Sequence, residues 1–152
     1  IDFADLSTTP VALELGGWRL AVLDSGERHA HAESGYNERR AECERGDPRR
    51  LSHVAGENDR VREAVLALGA GDMARLGELL DASHASLRDD YEVSTPAVEA
   101  TRERLLEAGA AGARIMGGGF GGAVLGLFPP GARPPRDALA VQPGRTAQLL
   151  TT

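Results

Sequence analysis

Residues 112–122 read Gly-Ala-Arg-Ile-Met-Gly-Gly-Gly-Phe-Gly-Gly, a glycine-rich stretch between two apolar runs. Five of the six positions from Gly117 to Gly122, the glycine loop, are glycine, so this backbone carries almost no side chains. Glycine adopts positive φ readily and lets a neighbouring group approach the backbone closely. The apolar residues on either side, 113–116 and 123–128, predict two strands that the loop joins. The stretch therefore indicates a strand–loop–strand unit and not a segment of hydrophobic core.

Length and composition bound the class of protein. The chain has 152 residues, of which 41% are hydrophobic, and this length suits one domain. The sequence has no apolar run long enough to span a membrane, and its first residues lack the pattern of a signal peptide. The single cysteine, Cys43, cannot form an internal disulfide, so a cytoplasmic location is expected.

The charge pattern excludes two classes of binding site. The formal net charge is −6, and lysine is absent, so all 17 basic side chains other than histidine are arginine. A phosphate-binding loop of the G-x-x-x-x-G-K-[ST] type needs a lysine and is therefore excluded. An acidic chain with 4% aromatic residues and no basic cluster is also a poor binder of nucleic acid. The pairs Arg39-Arg40 and Arg49-Arg50 are expected to lie on solvated helix faces.

Strands are predicted at both ends of the chain. Residues 11–15 and 18–23 are apolar runs that flank Gly16-Gly17, a pattern typical of a β-hairpin. Near the other end, residues 138–141 form one short apolar run in a proline-rich segment, which predicts an edge strand.

Helices are predicted between these two groups of strands. The first begins at Ser34 and ends at a Gly-Asp-Pro break at residues 46–48. Asp72 and Thr95, the latter followed by proline, have the sequence context of N-caps for two later helices. Between the break at residues 46–48 and Asp72, apolar residues recur at helical spacing and form one face: Val54, Val61, Val65 and Leu68. The order of elements predicts an α+β domain with the helices packed on one face of an antiparallel sheet.

Two further stretches carry side chains typical of binding sites. Residues 34–43 read Ser-Gly-Tyr-Asn-Glu-Arg-Arg-Ala-Glu-Cys, and residues 83–96 read Ser-His-Ala-Ser-Leu-Arg-Asp-Asp-Tyr-Glu-Val-Ser-Thr-Pro. By itself, Tyr36 can be a half-buried helix residue among charged residues that pair with one another. A phenol also suits sugar binding, because its hydroxyl exchanges a hydrogen bond while its ring packs against the sugar. Both interpretations stay open on the residues alone.

These two stretches and residues 112–122 resemble, in this order, the C-terminal half of the galactokinases. That family belongs to the superfamily of galactokinase, homoserine kinase, mevalonate kinase and phosphomevalonate kinase. The resemblance runs from about residue 13 to residue 128, and it implies the C-terminal domain of the superfamily kinase fold, a ferredoxin-like α+β domain. It further implies that residues 1–33 form strands continuing from an N-terminal kinase domain and that residues 34–152 form the C-terminal kinase domain.

The resemblance also implies roles for individual residues. Tyr36 matches the family's tyrosine whose hydroxyl helps to bind the sugar. The glycine loop matches the family motif G-G-G-F-G-G, which packs beside the nucleotide-phosphate loop of the other half through Gly117, Gly118, Gly119, Phe120, Gly121 and Gly122. A permissive hairpin loop without a ligand is the alternative that the residues alone leave open.

The function that the resemblance implies is a galactokinase, which transfers the γ-phosphoryl group of ATP to the 1-hydroxyl of galactose with the help of Mg²⁺. The family's catalytic aspartate, phosphate loop and metal ligands belong to the N-terminal half. No catalytic residue and no metal ligand is therefore expected in this chain, which alone is expected to be inactive. The expected partners are galactose, ATP and the N-terminal half, without nucleic acid or membrane. Two alternatives stay open: another small-molecule kinase of the superfamily, and a non-catalytic remnant or partner module.

Other polar residues give weaker signals. His29 and His31 form an H-x-H pair, but no third ligand accompanies them at a suitable spacing, so a surface pair is predicted. His84 has acidic neighbours that suggest an acid–base role. The resemblance, however, implies that residues 83–96 are mainly structural. Carboxylates on both sides of Cys43 disfavour a thiolate, so this cysteine is not expected to act as a nucleophile.

Overall fold

A computed structural model of the chain describes residues 6–28 and 32–142. Within these residues the elements follow in the order β1 (Arg19–Asp24), α1 (Ala32–Glu44), α2 (Pro48–Ala70), α3 (Met73–Asp89), α4 (Pro96–Glu107), β2 (Gly112–Ile115), β3 (Ala123–Phe128) and β4 (Leu139–Val141). The helices thus lie between the first strand and the last three, as the sequence pattern predicted. The predicted α+β class is confirmed.

The strands of the described residues form one antiparallel sheet with the order β2-β3-β1-β4. Strand β1 is central: it pairs with β3, where Arg19 lies opposite Phe128, and with β4, where Val22 lies opposite Leu139. Strand β3 also pairs with β2. The last strand therefore lies at an edge of the sheet, as predicted, and β2 forms the opposite edge.

The β-hairpin predicted around Gly16-Gly17 is wrong in its first strand. The turn itself forms, since both glycines have positive φ (54° and 91°). The N–H of Trp18 also donates to the carbonyl oxygen of Leu15 at 2.8 Å across this turn. Residues 11–15, however, form no strand. Because β1 already pairs with β3 on one edge and β4 on the other, its backbone has no donors or acceptors left for a third strand.

Helix α4 packs its apolar face on the sheet. Its N-cap is Thr95, whose hydroxyl accepts the N–H of Val98, and proline occupies the first helical position. Val98 and Leu105 of this helix are fully buried. They join the buried residues of the strands in one core: Ala21, Leu23, Ala113, Ile115, Val124 and Phe128. Full burial of one such large side chain contributes about 1.5–3 kcal/mol, so this core holds α4 to the sheet.

Helix α3 lies close against β2 because two glycines face each other there. A Cβ atom on Gly112 would be 2.0 Å from the carbonyl oxygen of Gly77, and a Cβ atom on Gly77 would be 2.7 Å from that of Ala111. Asp81 of the same helix accepts the backbone N–H of Ala113 at 3.0 Å. The edge strand is thus bound to α3 by backbone packing that leaves no room for side chains.

Helix α2 has a polar inner face. Its N-cap is Asp47, and it ends at Gly71, which has a left-handed conformation with φ 70°. The buried residues of α2 are Arg50, His53 and Ala67. Several of its apolar residues lie exposed on the outer face instead: Leu51, Val54, Val61, Val65 and Leu66. The apolar repeat seen in the sequence therefore marks the outer face of this helix.

The expectation that both arginine pairs lie on solvated faces is wrong for one member of each pair. Arg40 and Arg49 are exposed, whereas the side chains of Arg39 and Arg50 are only 14% and 6% exposed. Consecutive residues of a helix point about 100° apart, so two neighbouring arginines cannot share one environment. Both inner arginines form ion pairs with the carboxylate of Glu42, and Arg50 forms a second one with Glu92.

Two expectations from the sequence stay predictions. His29 and His31 lie outside the described residues. The division of the chain into residues 1–33 and 34–152 also stays a prediction, since the fold of the described part does not fix a domain boundary. No helix in this part of the chain combines the length and the apolar character that a membrane crossing requires.

Replacing Gly112 by alanine is expected to lower the free energy of unfolding by about 3 kcal/mol, the upper end of the range for overpacking. The added Cβ would overlap the backbone of Gly77 and push α3 away from the sheet. The matched control is Gly69→Ala on α2, where a Cβ meets nothing within 4 Å and removes glycine's entropic penalty. That variant should be more stable by about 0.5–1 kcal/mol. Urea denaturation measures both, and a Gly112→Ala protein as stable as wild type would contradict the close packing.

Candidate functional site

The glycine loop joins β2 to β3 as predicted. The N–H of Met116 donates to the carbonyl oxygen of Ala123 at 2.8 Å and closes the base of the loop. Positive φ angles occur at five of its positions: Gly117 (72°), Gly119 (84°), Phe120 (60°), Gly121 (118°) and Gly122 (85°). Glycine adopts such angles without strain, so the backbone path favours glycine at four of these five positions.

The loop packs on the α3–α4 connection, residues 90–95. The N–H of Phe120 donates to the carbonyl oxygen of Val93 at 2.7 Å. A Cβ atom on Gly119 would lie 2.4 Å from the Cβ of Val93 and 2.6 Å from its carbonyl oxygen. The closest approach at Gly119 is therefore to Val93 of the same domain, through both its side chain and its carbonyl oxygen.

On its other side the loop contacts the turn that follows β1. The N–H of Gly122 donates to the carbonyl oxygen of Glu27 at 3.0 Å, and the N–H of Ser25 donates to the carbonyl oxygen of Gly122 at 2.8 Å. A Cβ atom on Gly121 would be 2.8 Å from the same Glu27 oxygen. Gly119 and Gly121 are thus required by packing inside the domain.

The first two residues of the loop, Gly117 and Gly118, form an open tip. A Cβ atom on Gly117 would meet nothing within 4 Å, and one on Gly118 would meet only the ring of Tyr36, at 3.5 Å. Among the residues that the structure describes, the N–H groups of these two glycines have no acceptor. Unpaired backbone N–H groups in a glycine-rich loop can bind the oxygen atoms of an anion such as phosphate.

Tyr36 lies on α1 beside this tip and is 50% exposed. The preceding residue, Gly35, faces the ring of Phe120 so closely that a Cβ atom there would be 2.7 Å from it. No described residue accepts or donates a hydrogen bond at the Tyr36 hydroxyl. The structure therefore brings together the tyrosine and the loop that the sequence analysis singled out. A free phenol beside unpaired N–H groups is suited to a polar ligand.

His84 lies behind the loop and is fully buried. Its Nδ1 accepts the backbone N–H of Ile115 at 3.2 Å, so the ring proton belongs on Nε2, which donates to Glu99 at 2.9 Å. Burial lowers the pKa of His84, although the Glu99 carboxylate favours the protonated ring. Burial also acts to raise the pKa of Glu99, but hydrogen bonds from Ser94 and His84 outweigh it and lower that pKa. His84 is thus a neutral, buried residue that supports the strand leading into the loop.

Cys43 and the possible metal ligands were the other candidates for a reactive site. The sulfur of Cys43 is partly buried and lies 3.9 Å from the hydroxyl oxygen of Tyr91. Burial, together with the hydrogen bond to Cys43, raises the pKa of Tyr91 to about 12. In residues 6–28 and 32–142, no group of three or more His, Cys, Asp or Glu side chains could hold a metal ion.

Sequence analysis missed the role of Arg50. Its Nε donates to Glu42 at 2.7 Å, its Nη2 donates to Glu92 at 2.5 Å, and its Nη1 donates to the carbonyl oxygen of Asp90. Hydrogen bonds from Arg39 and Arg50 lower the pKa of Glu42, and those from Arg50 lower that of Glu92. No local pattern could have revealed this set of contacts, because Glu92 and Asp90 lie on a distant part of the chain.

Replacing Gly119 by alanine is expected to lower the melting temperature, because the new Cβ would overlap Val93. A left-handed conformation alone costs a non-glycine residue roughly 1–2 kcal/mol. Gly118→Ala is the matched control: its φ lies outside the left-handed region and its Cβ would make an ordinary contact. Its stability should stay within about 0.5 kcal/mol of wild type. Thermal unfolding followed by circular dichroism measures both, and equal losses in the two variants would contradict the packing of Gly119 on Val93.

The free energy of unfolding is expected to fall as the pH is lowered from about 7.5 to about 5.5. Burial lowers the pKa values of His53 and His84, so near the unfolded value of about 6.5 the unfolded chain binds more protons than the folded chain. The stabilisation is present above that value and is lost as the pH falls toward the lowered values. Urea denaturation across this range measures how steeply the free energy of unfolding changes with pH. This slope should be smaller in His84→Gln than in wild type. An unchanged slope would show that His84 is not kept neutral.

Comparison with known proteins identifies the family. Residues 61–143 match the family described as GHMP kinases C terminal. The chain is 38% identical to the galactokinase of Mycobacterium tuberculosis, with 85% of this chain and 44% of that protein covered. It is 35% identical to the galactokinase of Streptomyces coelicolor, with 84% of this chain and 41% of that protein covered. The chain thus spans less than half the length of these relatives.

Solved structures show the same fold. The crystal structure of Lactococcus lactis galactokinase complexed with galactose superposes with a TM-score of 0.71 at 33% identity, covering 76% of this chain and 38% of that one. The structure of L. major mevalonate kinase in complex with R-mevalonate gives a TM-score of 0.65 at 27% identity, covering 72% of this chain and 33% of that one. The fold and the family match agree with the resemblance seen in the sequence. The chain therefore belongs to the GHMP kinase family and contains the C-terminal domain of that family.

Proposed function

We propose that this chain is the C-terminal half of a galactokinase, which transfers the γ-phosphoryl group of ATP to the 1-hydroxyl of galactose. The observation that carries the proposal is the position of Tyr36 beside the open tip of the glycine loop. An enzyme that joins a phosphoryl group to a sugar must bind both side by side in a fixed orientation. The similarity to galactokinases over most of the chain supports galactose as the sugar.

In this proposal Tyr36 binds the sugar. Its hydroxyl can exchange one hydrogen bond with a sugar hydroxyl, and its half-exposed ring can pack against the apolar face of the sugar. The similar Lactococcus lactis enzyme was solved with galactose, which supports a sugar of this type as the ligand.

The glycine loop packs beside the phosphates of ATP. Gly117 and Gly118 offer open backbone and unpaired N–H groups there, while Gly119 and Gly121 hold the loop against the domain. Mg²⁺ would neutralise charge on the phosphates during transfer. The described residues hold no cluster of side chains for a metal ion, so the proposal assigns the magnesium ligands, the phosphate loop and the catalytic base to an N-terminal half. A cytoplasmic location is part of the same proposal.

A kinase that acts on another small alcohol is the second candidate. The similarity to the mevalonate kinase of L. major supports it, because that enzyme shares the fold but was solved with a different substrate. Formation of galactose 1-phosphate and of mevalonate phosphate by the complete enzyme separates the two candidates. Phosphorylation of neither substrate would contradict the galactokinase proposal and favour a kinase for a different small alcohol or a non-catalytic module.

In the complete enzyme, Tyr36→Phe is expected to raise the KM for galactose and to leave the KM for ATP unchanged. The variant removes one hydroxyl and keeps the ring, and loss of one such hydrogen bond is worth roughly 0.5–1.5 kcal/mol, or about a two- to tenfold rise. The control is Tyr91→Phe. It also removes a tyrosine hydroxyl, but that hydroxyl contacts Cys43 within the domain and is not part of the proposed site. Steady-state kinetics with each substrate varied in turn gives both constants. An unchanged KM for galactose in Tyr36→Phe would remove Tyr36 from the site.

A further inference from the structure

We propose that Arg50 is a positioning residue: it holds helix α1, and with it Tyr36, in a fixed position relative to the α3–α4 connection, on which the glycine loop packs. The inference rests on the proposed function for its effect on catalysis, whereas its structural part concerns the contacts of this chain alone. Three parts of the fold meet at the Arg50 side chain, namely α1, α2 and the α3–α4 connection.

The first step is the geometry of the guanidinium. Its three nitrogens donate to three different acceptors: the carboxylates of Glu42 and Glu92 and the carbonyl oxygen of Asp90. Burial acts to lower the pKa of Arg50, but hydrogen bonds to the two carboxylates outweigh it and raise that pKa. The side chain is only 6% exposed, so water cannot replace a lost partner. The planar guanidinium thus fixes the relative positions of its acceptors.

The second step leads from Arg50 to Tyr36. Glu42 and Tyr36 belong to the same helix, α1, which behaves as one rigid element. Arg39, one turn after Tyr36, also donates to Glu42 at 2.5 Å. At the other end of the helix, Gly35 lies against the ring of Phe120. Helix α1 is therefore fixed near its C-terminus by the arginine contacts and near its N-terminus by the glycine loop.

The third step leads from Arg50 to the loop. Of its partners there, Glu92 directly precedes Val93 and Asp90 lies three residues before it. The carbonyl oxygen of Val93 accepts the N–H of Phe120. Glu92 has a positive φ of 55°, which is uncommon for a residue other than glycine. The ion pair with Arg50 holds this residue in place, and so the position of Val93 under the loop depends on the same guanidinium.

The neighbouring residue supplies a matched control. Arg49 also donates to Glu92, at 3.0 Å, and to the carbonyl oxygen of Asp89. Its side chain, however, is 57% exposed, and among the described residues it makes no hydrogen bond or ion pair with α1. Arg49 therefore shares the charge and one carboxylate partner of Arg50 but does not join α1 to the α3–α4 connection.

The experiment compares Arg50→Lys and Arg49→Lys in the complete enzyme. Lysine keeps the positive charge but has one compact ammonium group, which cannot reach three acceptors in the plane of a guanidinium. Arg50→Lys is expected to raise the KM for galactose about threefold or more, while Arg49→Lys leaves it unchanged. Glu42→Gln removes the negative charge and one acceptor oxygen of the partner on α1 and leaves Arg50 in place. It should also raise the KM for galactose, and it keeps the proposal testable if Arg50→Lys does not fold.

A double-mutant cycle with Tyr36→Phe separates positioning from general destabilisation. If Arg50 acts through Tyr36, the pair Tyr36→Phe and Arg50→Lys should show the galactose KM of Tyr36→Phe alone, measured below the melting temperature of every variant. Additive rises, or equal rises in the Arg49→Lys control, would overturn the proposal.

Hydrogen exchange of the 152-residue chain tests the structural part without any activity. Arg50→Lys should speed amide exchange in residues 36–44 of α1 relative to wild type, and Arg49→Lys should not. Exchange in α1 that is unchanged by Arg50→Lys would overturn the proposal. A complete wild-type enzyme that does not phosphorylate galactose would contradict the proposed function instead, and the exchange data would still decide the role of Arg50.

Discussion

The contact between the glycine loop and Val93 is the constraint on which the candidate site depends. Val93 accepts the N–H of Phe120 at 2.7 Å and fills the space that a side chain at Gly119 would need. This contact sets the place of the Phe120 ring, which in turn lies against Gly35 at the start of α1. Tyr36 follows directly, so the position of the proposed sugar contact relative to the loop is fixed by a chain of short contacts.

Two kinds of interaction stabilise different parts of this domain. An apolar core joins α4 to the sheet and needs only hydrophobic side chains of suitable size. The residues around the site are joined by buried polar groups instead, with His84 between Glu99 and Ile115 and Arg50 between its carboxylates. Buried polar groups are costly to leave without partners, so they specify one arrangement more strictly than apolar contacts do. This difference explains why the site geometry depends on a few hydrogen bonds.

The sequence predicted the features that depend on local signals. The cap at Thr95, the break before α2, the strands around the glycine loop and the α+β order are all confirmed. The errors concern features that depend on distant partners. Residues 11–15 have a strand-like pattern, but β1 has no free edge for them, and Arg50 lies in a charged stretch, but its carboxylates come from elsewhere in the chain. The sequence also predicted the glycine loop as a whole. It did not show that Gly119 and Gly121 pack against the domain while Gly117 and Gly118 stay open.

The most direct test of this account is the distance between Tyr36 and the tip of the glycine loop, because the proposed function requires the two to adjoin. Nuclear Overhauser spectra of the isotope-labelled chain measure it. A Cβ atom on Gly118 would be 3.5 Å from the Tyr36 ring, so cross-peaks are expected between the ring protons of Tyr36 and the α protons of Gly118. Cross-peaks between Phe120 and Val93 without any between Tyr36 and Gly118 would show that the loop is packed as described but that α1 lies elsewhere, which would contradict the account.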